Sequence, residues 1–242
     1  MATESKTNVP VHVSLIMDGN GRWAMERGKE RVYGHFEGVE SVRACVETAV
    51  EAGVKYLSIY AFSEENWNRP QDEVTALMGL MVKAMAAEME SLDRNGVRFM
   101  VLGNRARLDK ELNDTIDRCM EMTAHNSTLT LIVLLSYSGK WDILQAAKKM
   151  AAEMLEHPER REEMENMGVD GFDRYLVTAG IPDPDLIVRT SGESRLSNYL
   201  LWQGAYSELL FTDILWPDFR KDEFRAALES YAKRDRRYGK VK

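Results

Sequence analysis

The chain has 242 residues, of which 44% are hydrophobic and 29% charged, and its formal net charge is −7. That length can bury a sizeable core, and a single α/β domain is expected over residues 11–242, with 1–10 as a disordered tail. The acidic balance excludes nucleic acid as the main partner, because a phosphate backbone needs clustered Lys and Arg; a local cationic pocket stays open.

No apolar run approaches the ~18 residues of a transmembrane helix. The stretch from Met1 to Pro10 is polar and lacks the apolar segment of a signal peptide. A protein that does not span a membrane is therefore expected. Cys45 and Cys119 sit in apolar-periodic segments without metal-ligand spacing and read as reduced core residues of a cytosolic protein.

Val13, Leu15, Ile16 and Met17 read as a buried strand that stops abruptly at Asp18. Gly19, Asn20, Gly21, Arg22 and Trp23 follow. Glycines let backbone N–H groups approach a phosphate, Asp18 can hold a divalent cation, and Arg22 can fork onto phosphate oxygens. A helix starting here would add a partial positive charge. A plain strand-to-helix turn is the competing reading, since Asp-Gly and Asn-Gly are ordinary turn dipeptides.

Apolar residues at 39, 42, 46, 49 and 50 predict a helix over 39–52, capped by Gly53. Residues 55–62 predict a second strand rich in aromatic and β-branched types. It runs into a polar loop, Ser63-Glu64-Glu65-Asn66-Trp67-Asn68-Arg69-Pro70, at the same strand end as Asp18. Ligands of open parallel α/β sheets bind beyond the carboxyl ends of the strands. Two polar loops meeting there would form a site, although a solvated loop fits the residues as well.

A long helix is predicted near 72–94, with Met78, Met81, Met85 and Met89 on its apolar stripe. Such a stripe usually packs a core. A strand over 97–102, a helix over 109–124, a strand over 129–136 buried on both faces, and a helix over 141–155 follow. The Glu- and Arg-dense run 156–166 reads as a solvated helix face. After a short strand at 185–189, the segment Thr190 to Asn198, flanked by Arg189 and Arg195, is a second anion-binding candidate. Glu208 precedes a last strand at 209–211, and a helix is predicted over 221–234. The alternation of strand and helix implies a mostly parallel sheet covered on both faces.

The string Met17-Asp18-Gly19-Asn20-Gly21-Arg22-Trp23-Ala24, with Arg27-Gly28, Arg31 and Gly34-His35 downstream, resembles the opening motif of the cis-prenyltransferases, and bacterial undecaprenyl diphosphate synthases most of all. Further matching stretches run in order: Tyr60 to Pro70, Asp185 to Glu193, Arg195-x-Ser197-Asn198, and Trp202-Gln203 through Glu208. The resemblance implies a parallel sheet wrapped by helices around a hydrophobic tunnel, a homodimer, and Mg2+-dependent cis-condensation of isopentenyl diphosphate onto an allylic diphosphate, farnesyl diphosphate being the usual one. The product would be a long-chain polyprenyl diphosphate such as undecaprenyl diphosphate, the lipid carrier for cell-wall polysaccharide. A cytoplasmic protein with transient contact at the inner face of the membrane is implied.

Carried over by motif, Asp18 is the catalytic residue that helps place Mg2+, with Glu208 completing the metal site. Gly19, Asn20, Gly21, Arg22, Arg31 and His35 would hold the allylic diphosphate, and Trp23 and Trp67 would shape the pocket. Ser63 and Asn66 would lie near the reacting carbons, with Glu64, Glu65 and Arg69 in the same substrate-binding loop. Arg189, Arg195, Leu196 and Ser197 would bind isopentenyl diphosphate, and Arg237 and Gly239 would reach the partner subunit's site. A neutral amide is a poor base, so Asn66 is expected to orient a proton acceptor rather than to be one. The Met-bearing helix would line the tunnel. Leu134, Leu135 and the Ser136-Tyr137-Ser138 turn depart from the family pattern and are expected to alter tunnel shape. The alternatives are a related enzyme of different product length, a non-catalytic partner subunit, and an unrelated phosphate-binding α/β protein.

Overall fold

Strands that are apolar at nearly every position need cover on both faces, and the sheet has it. The structure, a computed structural model, describes residues 8–234. The strands are β1 (His12–Ile16), β2 (Tyr56–Ser63), β3 (Val97–Leu102), β4 (Leu129–Tyr137), β5 (Leu186–Arg189) and β6 (Glu208–Phe211). Between and after them lie α1 (Asn20–Glu26), α2 (Arg31–Ala52), α3 (Gln71–Arg94), α4 (Lys110–Met122), α5 (Gly139–Glu156), α6 (Arg161–Glu165), α7 (Val169–Phe172) and α8 (Lys221–Ala232). Every strand pairing is parallel, in the order β3-β4-β2-β1-β5-β6. The fold class expected from the alternating pattern is the one observed.

Alternate residues divide the core in two. Val13, Leu15, Leu57, Leu131 and Val133 face the main cluster, where Cys45 and Val46 of α2, Met78 and Met85 of α3, Ile116 of α4 and Phe224 of α8 cover them. Ile16, Ile132, Leu134 and Ile187 face the other side, against Tyr137, Tyr199 and Leu200. That second face also holds a buried polar chain. His12 Nδ1 lies 2.6 Å from the Pro182 carbonyl and Nε2 2.9 Å from Ser58 Oγ. Ser58 Oγ reaches Ser14 Oγ at 2.8 Å, and Ser14 Oγ reaches the Tyr199 hydroxyl at 2.8 Å. Burial lowers the His12 imidazole to about 4, against smaller raising effects of the Pro182 bond and Asp185.

The expected element bounds shift in three places. The turn after β1 folds at once into α1, and α2 starts at Arg31 rather than at 39. Gly34 and Gly38 hide that first stretch from an apolar count. Each has neighbours where a Cβ would go: Gly34 meets the Asn20 carbonyl oxygen at 1.9 Å, and Gly38 meets Asn20 Oδ1 at 2.6 Å and Trp216 Cδ1 at 2.8 Å. Residues 156–166 form a short 3-10 turn and α6 instead of one helix, held by ion pairs such as Arg161–Glu165.

The chain leaves β1 toward β2, β4 and β3, whereas β5 and β6 lie on its other side. Connections therefore diverge between the carboxyl ends of β1 and β5, where open sheets of this kind place their ligands. The register sets Ile16 beside Arg189.

Candidate active site

Asp18 and Arg189 meet at that divergence. Arg189 Nη2 donates to Asp18 Oδ2 at 2.8 Å, and its Nη1 donates to the Arg195 carbonyl at 2.5 Å and to Ser197 Oγ at 2.7 Å. The Arg189 side chain is only 4% exposed, whereas that of Asp18 is 36% exposed. A buried guanidinium thus ties the β1 carboxylate to the loop after β5, and the carboxylate keeps a face toward solvent. Arg189 Nε has no hydrogen-bond partner among the described residues. Thr190 braces the arrangement: its Oγ1 donates to the Asp18 carbonyl at 2.6 Å and accepts from the Asp18 N–H at 2.9 Å.

Gly19 turns the chain from Asp18 into α1 with φ at +104°, and a Cβ there would press on Leu215 Cδ2 at 2.9 Å and Ser191 Cβ at 3.0 Å. Only glycine takes this conformation without strain. Gly21 lets the Arg31 guanidinium lie flat on the first turn of α1, with its Cζ 2.8 Å from where a Cβ would stand. Arg22 crosses to the loop after β5, donating to the Ser191 carbonyl at 3.0 Å. Asn20 lines the opening, and its buried Oδ1 lacks a partner among the described residues. His35, half-buried on α2, is pushed down to about 4 by burial and then by the nearby Arg69 and Arg31 charges, so it is neutral at neutral pH.

The end of β2 supplies the opposite wall. Ser63 Oγ accepts from the Asn66 N–H at 3.2 Å, and Asn66 Oδ1 accepts from the Ser63 N–H at 3.0 Å. This reciprocal cap fixes the Asn66 side chain. Its carbonyl is occupied, so its NH2 is the end left to donate. Arg69 borders the same opening and is paired with Glu73 at 3.1 Å.

Below this mouth runs a cavity of about 580 Å3. Asp18, Asn20, Asn66, Arg69, Arg189 and Ser197 border it at the top. Deeper, its walls are Val39, Val42, Val46 and Val50 of α2, Leu77, Leu80, Met81, Met85 and Met89 of α3, and Ile59, Leu131 and Val133 of the sheet. The Met stripe thus serves core and cavity together: Met78 is core alone, while Met81, Met85 and Met89 face the space.

Several sequence-derived residues lie elsewhere. Trp23 donates to Asp218 Oδ1 at 2.7 Å, and Arg27 lies over its ring at 4.0 Å. Trp67 donates to Ser136 Oγ at 2.9 Å and packs edge-on against Phe62. Both brace the site's loops without bordering the cavity. Glu64 accepts from Ser136 Oγ at 2.6 Å and pairs with Arg107 at 2.7 Å. Glu65 accepts from Asn198 Nδ2 at 2.6 Å, which links the β2 loop to the β5 loop. Leu196 packs on the second core cluster, and Arg195 is exposed beside Glu193.

Three residues lie apart from the mouth and walls to which the resemblance pointed. Leu134 and Leu135 do not line the cavity; Leu131 and Val133 of the same strand do. Leu134 points to the second face, and Leu135 is packed in the main core beyond the cavity. Glu208 does not share an ion with Asp18 of its own chain. The register sets it level with Val13, five residues short of Asp18 and two strands across, so about 16 Å lower along the sheet. It pairs with Arg234 at 2.7 Å. Arg237 and Gly239 lie outside the described residues.

No group of three or more His, Cys, Asp or Glu side chains is arranged to hold a metal among the described residues. Mg2+ commonly takes one or two carboxylates and completes its shell with water and substrate phosphates. One half-exposed carboxylate, Asp18, at an opening bordered by arginines fits such an ion, carried in with an anionic ligand.

A family model for putative undecaprenyl diphosphate synthases matches residues 16–239. The chain belongs to this family of prenyltransferases. An isoprenyl transferase of Porphyromonas gingivalis is 47% identical over 238 residues, 98% of this chain and 92% of that protein. A ditrans,polycis-undecaprenyl-diphosphate synthase of Haemophilus influenzae, specific for (2E,6E)-farnesyl diphosphate, is 44% identical, covering 97% of both chains. Lavandulyl diphosphate synthase from Lavandula x intermedia, solved with dimethylallyl diphosphate, superposes with a TM-score of 0.91 at 34% identity, over 96% of this chain and 99% of that one. A probable undecaprenyl diphosphate synthase from Campylobacter jejuni gives 0.79 at 29% identity, over 96% of this chain and all of that one. The protein is thus a transferase of prenyl groups.

Within this family site, the sequence placed Thr190 in an anion-binding segment but did not show its tie to the Asp18 backbone, nor the close contacts of Gly34 and Gly38. A threonine after a strand carries no signal of its own. The glycine pair four residues apart ahead of the Val stripe was the available clue.

Proposed function

We propose that the chain condenses isopentenyl diphosphate repeatedly onto an allylic diphosphate, with farnesyl diphosphate as starter and a long cis-polyprenyl diphosphate, undecaprenyl diphosphate in the first instance, as product. The observation that carries this reading is one continuous cavity with an ionic mouth and a valine- and methionine-lined depth. It suits a molecule with a diphosphate head and a hydrocarbon tail.

In each cycle a carbon–carbon bond forms to the isopentenyl unit as the allylic C–O bond breaks, and a proton then leaves the new unit. Arg31 on the first turn of α1, neutral His35 and Arg69 surround the allylic head. Arg189, Arg195 and Ser197 serve the isopentenyl diphosphate. Positive charge aimed at the departing diphosphate acts most strongly as C–O cleavage develops. Mg2+, held by Asp18 and the diphosphate itself, would supply further charge neutralisation. Fixing both heads in one mouth makes the attack effectively unimolecular. Asn66, with only its NH2 free, donates to the released diphosphate or to a water and does not take the proton.

The assembly proposed is a homodimer. Leu209, Phe211, Ile214 and Leu201 are each 37–38% exposed around β6, the sheet's edge strand, and an apolar unpaired edge invites a partner. No helix among the described residues is long and apolar enough to cross a membrane. A cytoplasmic enzyme that touches the inner membrane face to deliver its lipid is the corresponding location.

The test is incubation with farnesyl diphosphate, radiolabelled isopentenyl diphosphate and Mg2+, with products separated by length and Asp18→Ala alongside. The expected result is a Mg2+-dependent ladder that the variant lacks. No incorporation by the wild type would refute the reading.

A further inference from the structure

The cavity has one flank that is not apolar. Along α2 the Val39, Val42, Val46 and Val50 stripe is bordered on its outer side by Arg43, Glu47 and Glu51, which also line the space. All three are exposed. Across from them α3 contributes Glu88 and Ser91. The cavity is therefore a groove between two helices that run down from the mouth, and a charged rim marks its open side.

One interaction spans that rim. The Arg43 guanidinium meets the Glu88 carboxylate with two bonds, Nε to Oε2 at 3.1 Å and a shorter one from Nη2 to Oε1. Among the described residues no other hydrogen bond or ion pair joins α2 to α3. Arg43 also donates to Glu40 on its own helix at 2.5 Å. The crossing lies eight residues below His35 on α2, about 12 Å down from the mouth.

The other walls are fixed more firmly. Strand ladders hold the floor. α2 is fastened to α8 and the turn before it: Ser41 Oγ donates to the Trp216 carbonyl at 2.9 Å, Lys221 pairs with Glu47 at 2.6 Å, and Arg225 pairs with Glu51 at 2.8 Å. On its groove side α3 offers Met81, Met85 and Met89, side chains that repack without strain.

Resting on the polyprenyl reading above, we infer that the Arg43–Glu88 pair is a latch on the open flank of the groove, parting to let the finished hydrocarbon leave sideways between α2 and α3. A space of 580 Å3 is of the size that holds a drug-sized molecule. A chain many units longer must displace a wall, and α3, tied at its ends by Arg69–Glu73 and Asn126–Asp93, is joined to α2 across the open flank by one polar tie alone among the described residues. Arg43 is 42% and Glu88 22% exposed. Such half-exposed ion pairs are weak enough to open in every catalytic cycle, and salt loosens them further.

The experiment compares two rates in one preparation, with phospholipid vesicles present to accept the product. Single-turnover chain elongation reports condensation, and multiple turnover reports release. Arg43→Ala and Glu88→Ala are each expected to raise the ratio of multiple- to single-turnover rate about three- to fivefold. The double variant is expected to match either single one, since both remove the same closure. Glu40→Ala, which removes only the same-helix partner, is expected to keep the wild-type ratio. Unchanged ratios in the singles, additive effects in the double, or the same rise in Glu40→Ala would each overturn the latch. Failure of the wild type to elongate at all would instead overturn the reading on which the latch depends.

Discussion

Thr190 acts through its hydroxyl alone. It gives one hydrogen bond to the Asp18 backbone and takes another, and it is 1% exposed. Thr190→Val keeps the shape and removes one of two hydrogen bonds from each Asp18 backbone group, the N–H keeping the Ile16 carbonyl at 3.1 Å and the carbonyl keeping the Trp216 N–H at 3.1 Å, at a cost of about 1 kcal/mol. Because the loss falls on the turn that aims Asp18, kcat is expected to drop about tenfold or more, with KM for both diphosphates less affected. Steady-state kinetics check this, and a variant with wild-type kcat would remove Thr190 from the positioning of Asp18. The neighbouring Arg189 illustrates what sequence could and could not tell. Its place after an apolar strand marked it as an anion binder. Nothing in the spacing told that it would be buried, tied to Asp18 across 171 residues of chain, and engaged with three groups at once.

At the scale of elements, the contact between α1 and α2 depends on a missing side chain. A Cβ on Gly34 would lie 1.9 Å from the Asn20 carbonyl oxygen, which is backbone and cannot swing away. Gly34→Ala must therefore push the helices apart, although alanine favours helix. A loss of ~3 kcal/mol is expected, seen as a fall in melting temperature on the order of 5–10 °C. Activity should fall as well, since Asn20 and Arg31 ride on these two helices. Equal thermal stability of variant and wild type would contradict the contact. The element-level legibility of the chain divides along the same line. Strands β1, β4 and β5 could be read because short apolar runs dominate them, and α3 because its stripe is long. The start of α2 could not, because helix pairs that approach closely use glycine where a periodicity count looks for bulk.

The mouth of the cavity was legible through motif residues gathered at two strand ends. Its walls were less so. Which face of β4 looks into the groove depends on register with β2, so Leu131 and Val133 could not be told from Leu134 before the sheet was assembled. The distance of Glu208 from Asp18 within one chain was hidden for a related reason: strand position along the sheet is a tertiary fact.

On the scale of the whole molecule, acid should loosen the fold before carboxylates titrate. His12 has a folded value of about 4 against 6.5 for a free imidazole. Between those values the unfolded chain binds the proton and the folded chain does not, so stability is full above about 6.5 and lost as pH falls toward 4. His35 works in the same direction. From His12 alone, roughly 2 kcal/mol should disappear between about pH 7 and pH 5. Urea unfolding at the two pH values measures it. His12→Asn is expected to start less stable and to show a flatter profile, and an unchanged slope in that variant would assign the acid sensitivity elsewhere.

The proposed dimer is also a whole-molecule property, and β6 is where it can be tested. Edge strands of soluble proteins are commonly short, charged or covered. β6 is short, but its alternate residues Leu209 and Phe211 stand 37% and 38% exposed, with Ile214 and Leu201 beside them at 37% each. Its other face is committed inward, where Leu210 packs on the main core. The outward face therefore has apolar area to bury and no element among the described residues to bury it against. Arg234 guards the start of the strand, pairing with Glu208 and donating to the Leu209 carbonyl at 3.0 Å. Phe211→Lys places an ammonium in the middle of the patch and leaves the inner core alone. Sedimentation is expected to show a dimer for the wild type and a monomer at micromolar concentration for Phe211→Lys, with circular dichroism unchanged. A variant that stays dimeric would move the interface away from β6. A folded monomer that keeps full activity would separate catalysis from assembly, and each chain's Asp18–Arg189 mouth would then be sufficient by itself.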